Sequence, residues 1–473
     1  MTPVDNQPAQ KRYLARDIAV ALGIALGAIG LIAVWYFIWG PSERTLDQAE
    51  TLNMDWQTIF FFLGFVGIVA SGVLNYHRQL STQDQITEAQ KQSRSAQEQA
   101  EAANKQVVLA REQFEDVRLR EVERSRQERY AQGAEMIAHD SAAVRMAGLN
   151  IITQLGREVD APNEWRQTCL NLVCSYLRAS SSPPESATGT EPWPHHVVSE
   201  EACRLLPTLL DDALSDGKPS PGLDVDLRGA HLVALNLQGK CVGDAQFTGV
   251  TFTGDSGFND AKFSGAAWFG KATFIGLAGF YRATFARDAD FAKATFNENM
   301  SFDKATFFGD AEFSDAISRR DASFTDAKFC RSARFGDAKF SGETSFDGAK
   351  FNGDAWFTGV AFEGRIGFDK AEIKGDASFS KAEFNGGARF TALTVDGFAG
   401  FGQATFTGVA SFDKATFKSD AEFSGAKFTK DALFDGATFT GHASLSAATF
   451  KRPPVGLSSR PVPNPQGEGG EPD

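Results

Sequence analysis

The sequence predicts a membrane-anchored chain of several domains, helical in its first half and ending in a repeat domain of short extended segments. Three observations carry this. Two stretches, 18–39 and 58–76, run for 22 and 19 residues without a charge. Neither Pro nor Gly interrupts the chain between Gly72 and Gly133. From Phe258 to Phe450, phenylalanines recur alternately five and six residues apart, a summed period of 11. A fixed period of this kind marks a repeat architecture.

In chain order, 1–17 is a short N-terminus carrying Lys11, Arg12 and Arg16. Each uncharged stretch is long enough to span a bilayer. The first ends in an aromatic belt, Trp35 to Trp39, and has no convincing small-x-small cleavage site, which argues against a signal peptide. The loop 40–57 carries Arg44 against Glu43, Asp47, Glu50 and Asp55, while Arg78 follows the second stretch. The positive-inside rule therefore turns the loop outward and leaves both termini cytoplasmic. The expected localisation is the cell inner (plasma) membrane, multi-pass, with the lipid bilayer as a partner.

Residues 77–124 are rich in Gln, Ala, Glu, Lys and Arg and read as one long helix. A 3,4 spacing from Ile86 through Val107 and Phe114 to Val117 gives it a coiled-coil pattern with an Ala-rich seam. Such a seam pairs two copies of the chain, folds back on its own chain, or stays solvated. Short amphipathic helices follow over 125–179. Ser141 is placed to cap one that ends at Gly156, and Pro162 to open the next. A Ser/Pro linker spans 180–198, a capping helix is expected near Glu200–Leu210 within 199–222, and 451–473 is a Pro/Gly-rich tail that begins by stopping strand pairing.

The repeat explains a composition of 42 Phe against six Tyr in 473 residues. Two residues before most of these phenylalanines stands an alanine, as at Ala305, Ala311, Ala322 and Ala338. In an extended segment the Ala and Phe share one side, and the residue between them, such as Lys339 or Glu312, points to water. The expected core is a column of Phe that includes Phe258, Phe263, Phe302, Phe307, Phe346, Phe351, Phe412 and Phe417. Ser318, Ile373, Val395 and Leu445 occupy Phe slots. Turns are expected on Gly-Asp, Asp-Lys and Asn-Gly pairs.

These units resemble the pentapeptide-repeat family, whose unit is Ala-(Asp/Asn)-(Leu/Phe)-x-x. Leu227, Leu232, Leu237, Val242, Phe247 and Phe252, five apart, are closest to it. The resemblance covers 223–450 and implies a right-handed quadrilateral parallel β-helix, one unit per side and four sides per coil. The inserted residue in every second unit, as in Phe307 to Ala311, departs from the family and implies 22 residues per coil. About ten coils would make a rod on the order of 50 Å long. Residues 125–179 resemble, through Glu128-Arg129-Tyr130 and Ala143-Val144-Arg145, the HEAT-like segment preceding pentapeptide repeats in actinobacterial membrane proteins.

The search for chemistry is short. Cys169 and Cys174 lie five apart on a helix, point to different faces and read as buried structural thiols. His195 and His196 fall in the linker, and His231 and His442 have no partner in register. Gly270-Lys271-Ala272-Thr273 lacks the Gly-rich run of a phosphate loop. Asp310, Asp354, Asp376 and Asp420 suggest turn chemistry ahead of a Ca²⁺ ladder. No catalytic residue, cofactor or metal ligand is assigned.

The expected function is therefore a non-enzymatic, membrane-tethered scaffold for an unidentified protein partner. Mimicry of DNA toward a type II topoisomerase is the alternative, and a transmembrane sensor subunit the third. Mimicry needs a strongly negative surface, whereas 223–450 holds 29 acidic and 24 basic residues, a difference of −5. Nucleic acid is not an expected partner.

Overall fold

The computed structural model describes residues 7–39, 56–158, 160–180, 196–210 and 222–457. The chain divides into two units, Met1–Leu119 and Arg120–Asp473.

The first unit is helical: α1 spans Gln7–Trp39, and α2, Trp56–Ile137, begins in it. The expectation of two transmembrane spans finds no support in the described residues. Both uncharged stretches are helical, but among the described residues no helix is long and apolar enough to cross a membrane. Most of the loop expected at 40–57 lies outside the described residues. The long helix also differs from expectation at both ends. It is continuous with 58–76 and runs 82 residues to Ile137 instead of stopping near 124.

In the second unit, α3 (Ala142–Gly156), α4 (Asn163–Ala179) and α5 (His196–Leu205), the last extended by a 3₁₀ turn at Leu206–Thr208, pack around Leu149, Ile152, Leu170, Val173, Leu177 and Leu206. Ser141 sits at the N-cap of α3 with extended dihedrals, but its side chain makes no capping bond. Gly156 is the last helical residue, and a Cβ there would meet Leu209 Cδ2 at 2.5 Å and Cys169 Cβ at 3.1 Å. Its glycine serves close packing, not a left-handed cap. The expected capping helix starts earlier, at His196.

From Leu223 the chain winds as a parallel β-solenoid built mostly of two-residue strands. Each coil carries four, for example Lys262–Phe263, Ala267–Trp268, Thr273–Phe274 and Ala278–Gly279. We name the stacks built on these four sides I, II, III and IV. Side III holds eleven strands, from His231–Leu232 to Thr449–Phe450, hence ten coil steps. The first step is 20 residues, Leu232 on Phe252, and the next is 22, Phe252 on Phe274. The inserted residues thus lengthen the coil without changing the number of sides. Sides I and II join into one sheet because Cys241–Gln246 runs unbroken through the corner between them.

The interior holds four phenylalanine columns, one per side. Phe324, Phe346 and Phe368 stack at centroid distances of 4.7 and 4.9 Å. Phe346 meets Phe335 and Phe357 of the adjoining column edge-on at 5.2 Å. Parallel stacking within a column and edge-to-face contact between columns are both favourable ring geometries, worth about 0.5–1.5 kcal/mol per pair beyond area burial.

Several turns fall on the expected pairs, as at Asp303-Lys304, Gly336-Asp337 and Asp369-Lys370. At every eleventh position from Asp260 to Ala447, φ lies between 54° and 71°. Each such residue is third in a four-residue turn, mostly Phe-x-x-Ala, closed by a bond such as Ala261 N–H to Phe258 O, 3.1 Å. Only Gly348, Gly359, Gly425 and Gly436 of these positions are glycine, and Lys or Asp fills most others. A left-handed L-residue costs about 1–2 kcal/mol. The coil above offsets it, since the Lys271 N–H donates to Ala292 O at 2.8 Å. The glycines two residues after a strand phenylalanine, as in Phe384-Asn385-Gly386, have another task. At Gly386 an added Cβ would overlap the Gly364 carbonyl oxygen of the coil below. After Pro453 and Pro454 pairing does not stop entirely, because Val455 still bridges to Leu433.

Candidate interaction surface

The eight phenylalanines singled out from the sequence are all fully buried and fall into two of the four columns. Phe258, Phe302, Phe346 and Phe412 belong to the column of side IV. Phe263, Phe307, Phe351 and Phe417 belong to that of side I, where Ile373 and Val395 stand in for Phe between Phe351 and Phe417. None of them reaches the surface. Any recognition by the solenoid therefore uses the residues between them.

On side IV those outward residues are small: Gly279, Ser301, Ser323, Ser345 and Gly367, followed by Arg389. They floor a groove of about 620 Å³ that crosses six strands, walled by Asn299, Asp321, Glu343 and Arg365 along one corner and by Asn259 and Tyr281 along the other. Arg389 closes one end, its Nη2 3.3 Å from Asp347 and its Nε 3.2 Å from Asp369. Hydroxyls bind the floor laterally: Ser323 donates to Asp303, and Thr325 and Ser345 share a bond of 3.0 Å. The 11-residue period alone does not show this groove, because successive repeats lie on different sides. The signal is a small residue at every 22nd position from Gly257 to Gly367, which only the coil length reveals.

The corner carboxylates have a structural use. Asp354 Oδ1 accepts the Asp376 N–H at 3.0 Å, and Asp376 Oδ1 accepts the Phe398 N–H at 2.8 Å. Asp420 Oδ1 accepts the His442 N–H at 2.8 Å. Each satisfies a backbone donor one coil above, which is turn chemistry repeated along the axis. On side II burial pushes the Asp290 carboxyl above its usual range, with the Glu312 charge adding to it. Among the described residues, no group of His, Cys, Asp and Glu is placed to hold a metal ion.

The cysteines form no disulfide, and Cys169, Cys174, Cys203 and Cys241 are buried. Burial, with the charge of Glu158 beside it, pushes the Cys169 thiol up to about 12. Burial also raises Cys174 to about 12 and Cys203 to about 11. Such thiols stay protonated and unreactive. Lys271 of the phosphate-loop-like run is one of the left-handed turn residues. His195 lies outside the described residues.

A family profile described as pentapeptide repeats (9 copies) matches residues 242–284, 272–317, 302–350, 346–394 and 401–449. No curated protein and no solved structure matches the chain.

Proposed function

The solenoid of this chain belongs to the pentapeptide-repeat family, and from that premise we propose that the protein is a non-enzymatic scaffold that engages a protein partner along its coils. The groove of side IV carries the reading. Its 620 Å³ extends over five coil steps. An open groove that follows the axis over five coil steps suits an extended polypeptide segment laid along it. Its walls mix amides, carboxylates and Arg365, which recognises a polar segment and not a purely apolar one. The charge of 223–450, 29 acidic against 24 basic residues, favours a protein partner over the role of a nucleic-acid mimic.

The test is a cross-linked capture from the protein's own cells with the groove filled. Ser323→Trp and Ser345→Trp together remove the captured partner, while Lys339→Glu on side III leaves it. Equal capture by all three proteins overturns the assignment of the groove.

The tether is part of the same proposal, and its support is the sequence of 18–39 and 58–76, uncharged throughout. The described apolar side chains of α1, such as Leu22, Ile24, Leu26 and Leu31, are exposed in a way that water disfavours. We read them as buried in a bilayer, with the solenoid on the cytoplasmic side by the positive-inside rule. A reporter active only in the cytoplasm, fused after Asp473, is then active, and Gln48 is labelled from outside. The opposite pattern moves the solenoid across the membrane.

A further inference from the structure

Between 86 and 117, α2 is an unbroken helix whose side chains are all exposed. Ile86, Val107, Phe114 and Val117 share the 3,4 seam and are exposed by 52, 64, 70 and 63%. Val108, Leu109 and Leu119 are also exposed, on the faces of the helix turned away from the seam. The residues flanking the seam are the informative ones. On one flank stand Gln85, Gln92, Gln99, Gln106 and Gln113, an amide at each seventh position. On the other stand Gln90, Gln97, Asn104, Arg111 and Arg118. Charges of both signs, such as Lys91, Glu98, Lys105 and Glu112, occupy the face opposite the seam.

Flanking positions of a coiled coil choose the partner and its orientation through charge. A flank made wholly of Gln offers nothing to attract a foreign helix of either sign. It also offers nothing to repel an identical one. In a parallel, in-register pair each Gln faces an amide or an Arg of the other copy: Gln92 meets Gln97, Gln99 meets Asn104, and Gln113 meets Arg118. No like charges oppose each other at any level of the seam. The alanines between Ile86 and Val107 allow close approach of the backbones, and Val107, Phe114 and Val117 supply most of the apolar area.

We propose that α2 pairs with α2 of a second copy of this chain, parallel and in register, over residues 86–117. The pairing rests on the seam and its flanks. The parallel sense rests on the tether reading, because the apolar residues 63–76 at the start of α2 in both copies then enter the same bilayer from the same end. The pair presents two solenoids, and so two side IV grooves, to a partner.

The test uses the full chain in detergent, with Cys330→Ser removing the half-exposed native thiol. Ser93→Cys and Val117→Cys, both on the seam, are oxidised and compared with Glu98→Cys on the opposite face. A parallel pair brings each seam thiol against its own copy within disulfide reach. Disulfide-linked dimers then form at least about tenfold faster at 93 and 117 than at 98. An antiparallel pair sets 93 against 110 and 117 against 86, so neither seam variant cross-links to its own copy, and that result overturns the proposal. So does a monomeric mass for the chain at micromolar concentration. Ala100→Glu with Ala103→Glu places two charges in the seam. It halves the mass and leaves the proteolytic pattern of the solenoid unchanged. A pairing that fails while the cytoplasmic reporter stays active refutes the dimer and not the tether.

Discussion

The two ends of the solenoid solve the same problem differently. The first coil is filled by Leu223, Val225, Leu227, Leu232, Leu235 and Leu237, all buried. The helices α4 and α5 cover it, and a side-chain amide completes its strand edge. Gln167 Nε2 donates to Asp224 O at 2.7 Å while the Asp224 N–H donates to Gln167 Oε1 at 2.8 Å. That amide reproduces the peptide a preceding coil would have supplied. Arg178 Nη1 donates to Asp226 O at 2.7 Å and pairs with its carboxylate at 2.6 Å. The last coil has no such cover among the described residues. Phe439, Leu445 and Phe450 are only partly buried, and one bridge, Leu433 to Val455, is all the pairing that follows. A repeat that stacks on identical neighbours is therefore as stable as its environment allows: strongest in the middle, sealed at one end, exposed at the other.

The sharpest break of this comparison is to place the same substitution in the middle and at the open end. Phe346→Asp buries a carboxylate among Phe324, Phe335, Phe357 and Phe368, with no partner for its charge. The expected loss is about 4 kcal/mol or more, and limited proteolysis cuts near residue 346. Phe450→Asp frays only the last coil and leaves the central fragments intact. If both variants resist protease like the parent, the columns do not carry the solenoid.

Two neighbouring glycines give a smaller and more pointed test. Gly386→Ala forces a methyl onto the Gly364 carbonyl and costs about 1–3 kcal/mol. At Gly387 the nearest atom to an added Cβ is Val409 O at 3.8 Å, so alanine there is neutral or stabilising by up to about 1 kcal/mol. Denaturant midpoints that move in the same direction for both would refute the close approach of the coils.

The sealed end carries a pH signature. Hydrogen bonds from the Arg228 guanidinium, opposed in part by burial and helped by the charge of Arg178, hold the Asp226 carboxyl down to about 2 from an ordinary 3.8. A depressed carboxyl stabilises the fold above its unfolded value, and that contribution disappears as pH falls through its folded value. Hydrogen exchange of the first coil is therefore slower in the parent than in Asp226→Asn at pH 6, and the difference closes between pH 3.8 and about 2. A difference that persists unchanged at pH 2 would mean the carboxylate is not what ties α4 to the coil.

The smallest effect is expected at Lys339→Asp. Lys339 is exposed between Ala338 and Phe340, and a surface change of this kind shifts stability by less than about 0.5 kcal/mol. Thermal unfolding that moves by many degrees would show that the outward positions are not free.

Much of this was legible from residues alone, for one physical reason. Ala-x-Phe repeats with an 11-residue period leave a single way to bury every ring, so Phe302, Phe307 and Phe346 announce their place inward without any tertiary information. The free, buried thiols of Cys169 and Cys174 were legible for a similar reason, since they have no companion ligands. Other features were legible only by coil partner. Lys271 and Asp260 do not look like left-handed residues, because what holds them there is a carbonyl 21 residues further on. Gly156 looked like a helix stop, but Leu209 packing against it decides its identity.

The sequence by itself determined the period, the inward columns, the polar exterior and an uninterrupted long helix, because each depends on side-chain chemistry and local spacing. Only the tertiary structure decided which residues meet across coils. The groove of Gly279, Ser301, Ser323, Ser345 and Gly367 arises because residues 22 apart in sequence lie side by side once the chain winds. The amide of Gln167 serves as a strand edge because α4 covers the first coil, a contact between residues 57 apart that no local pattern encodes.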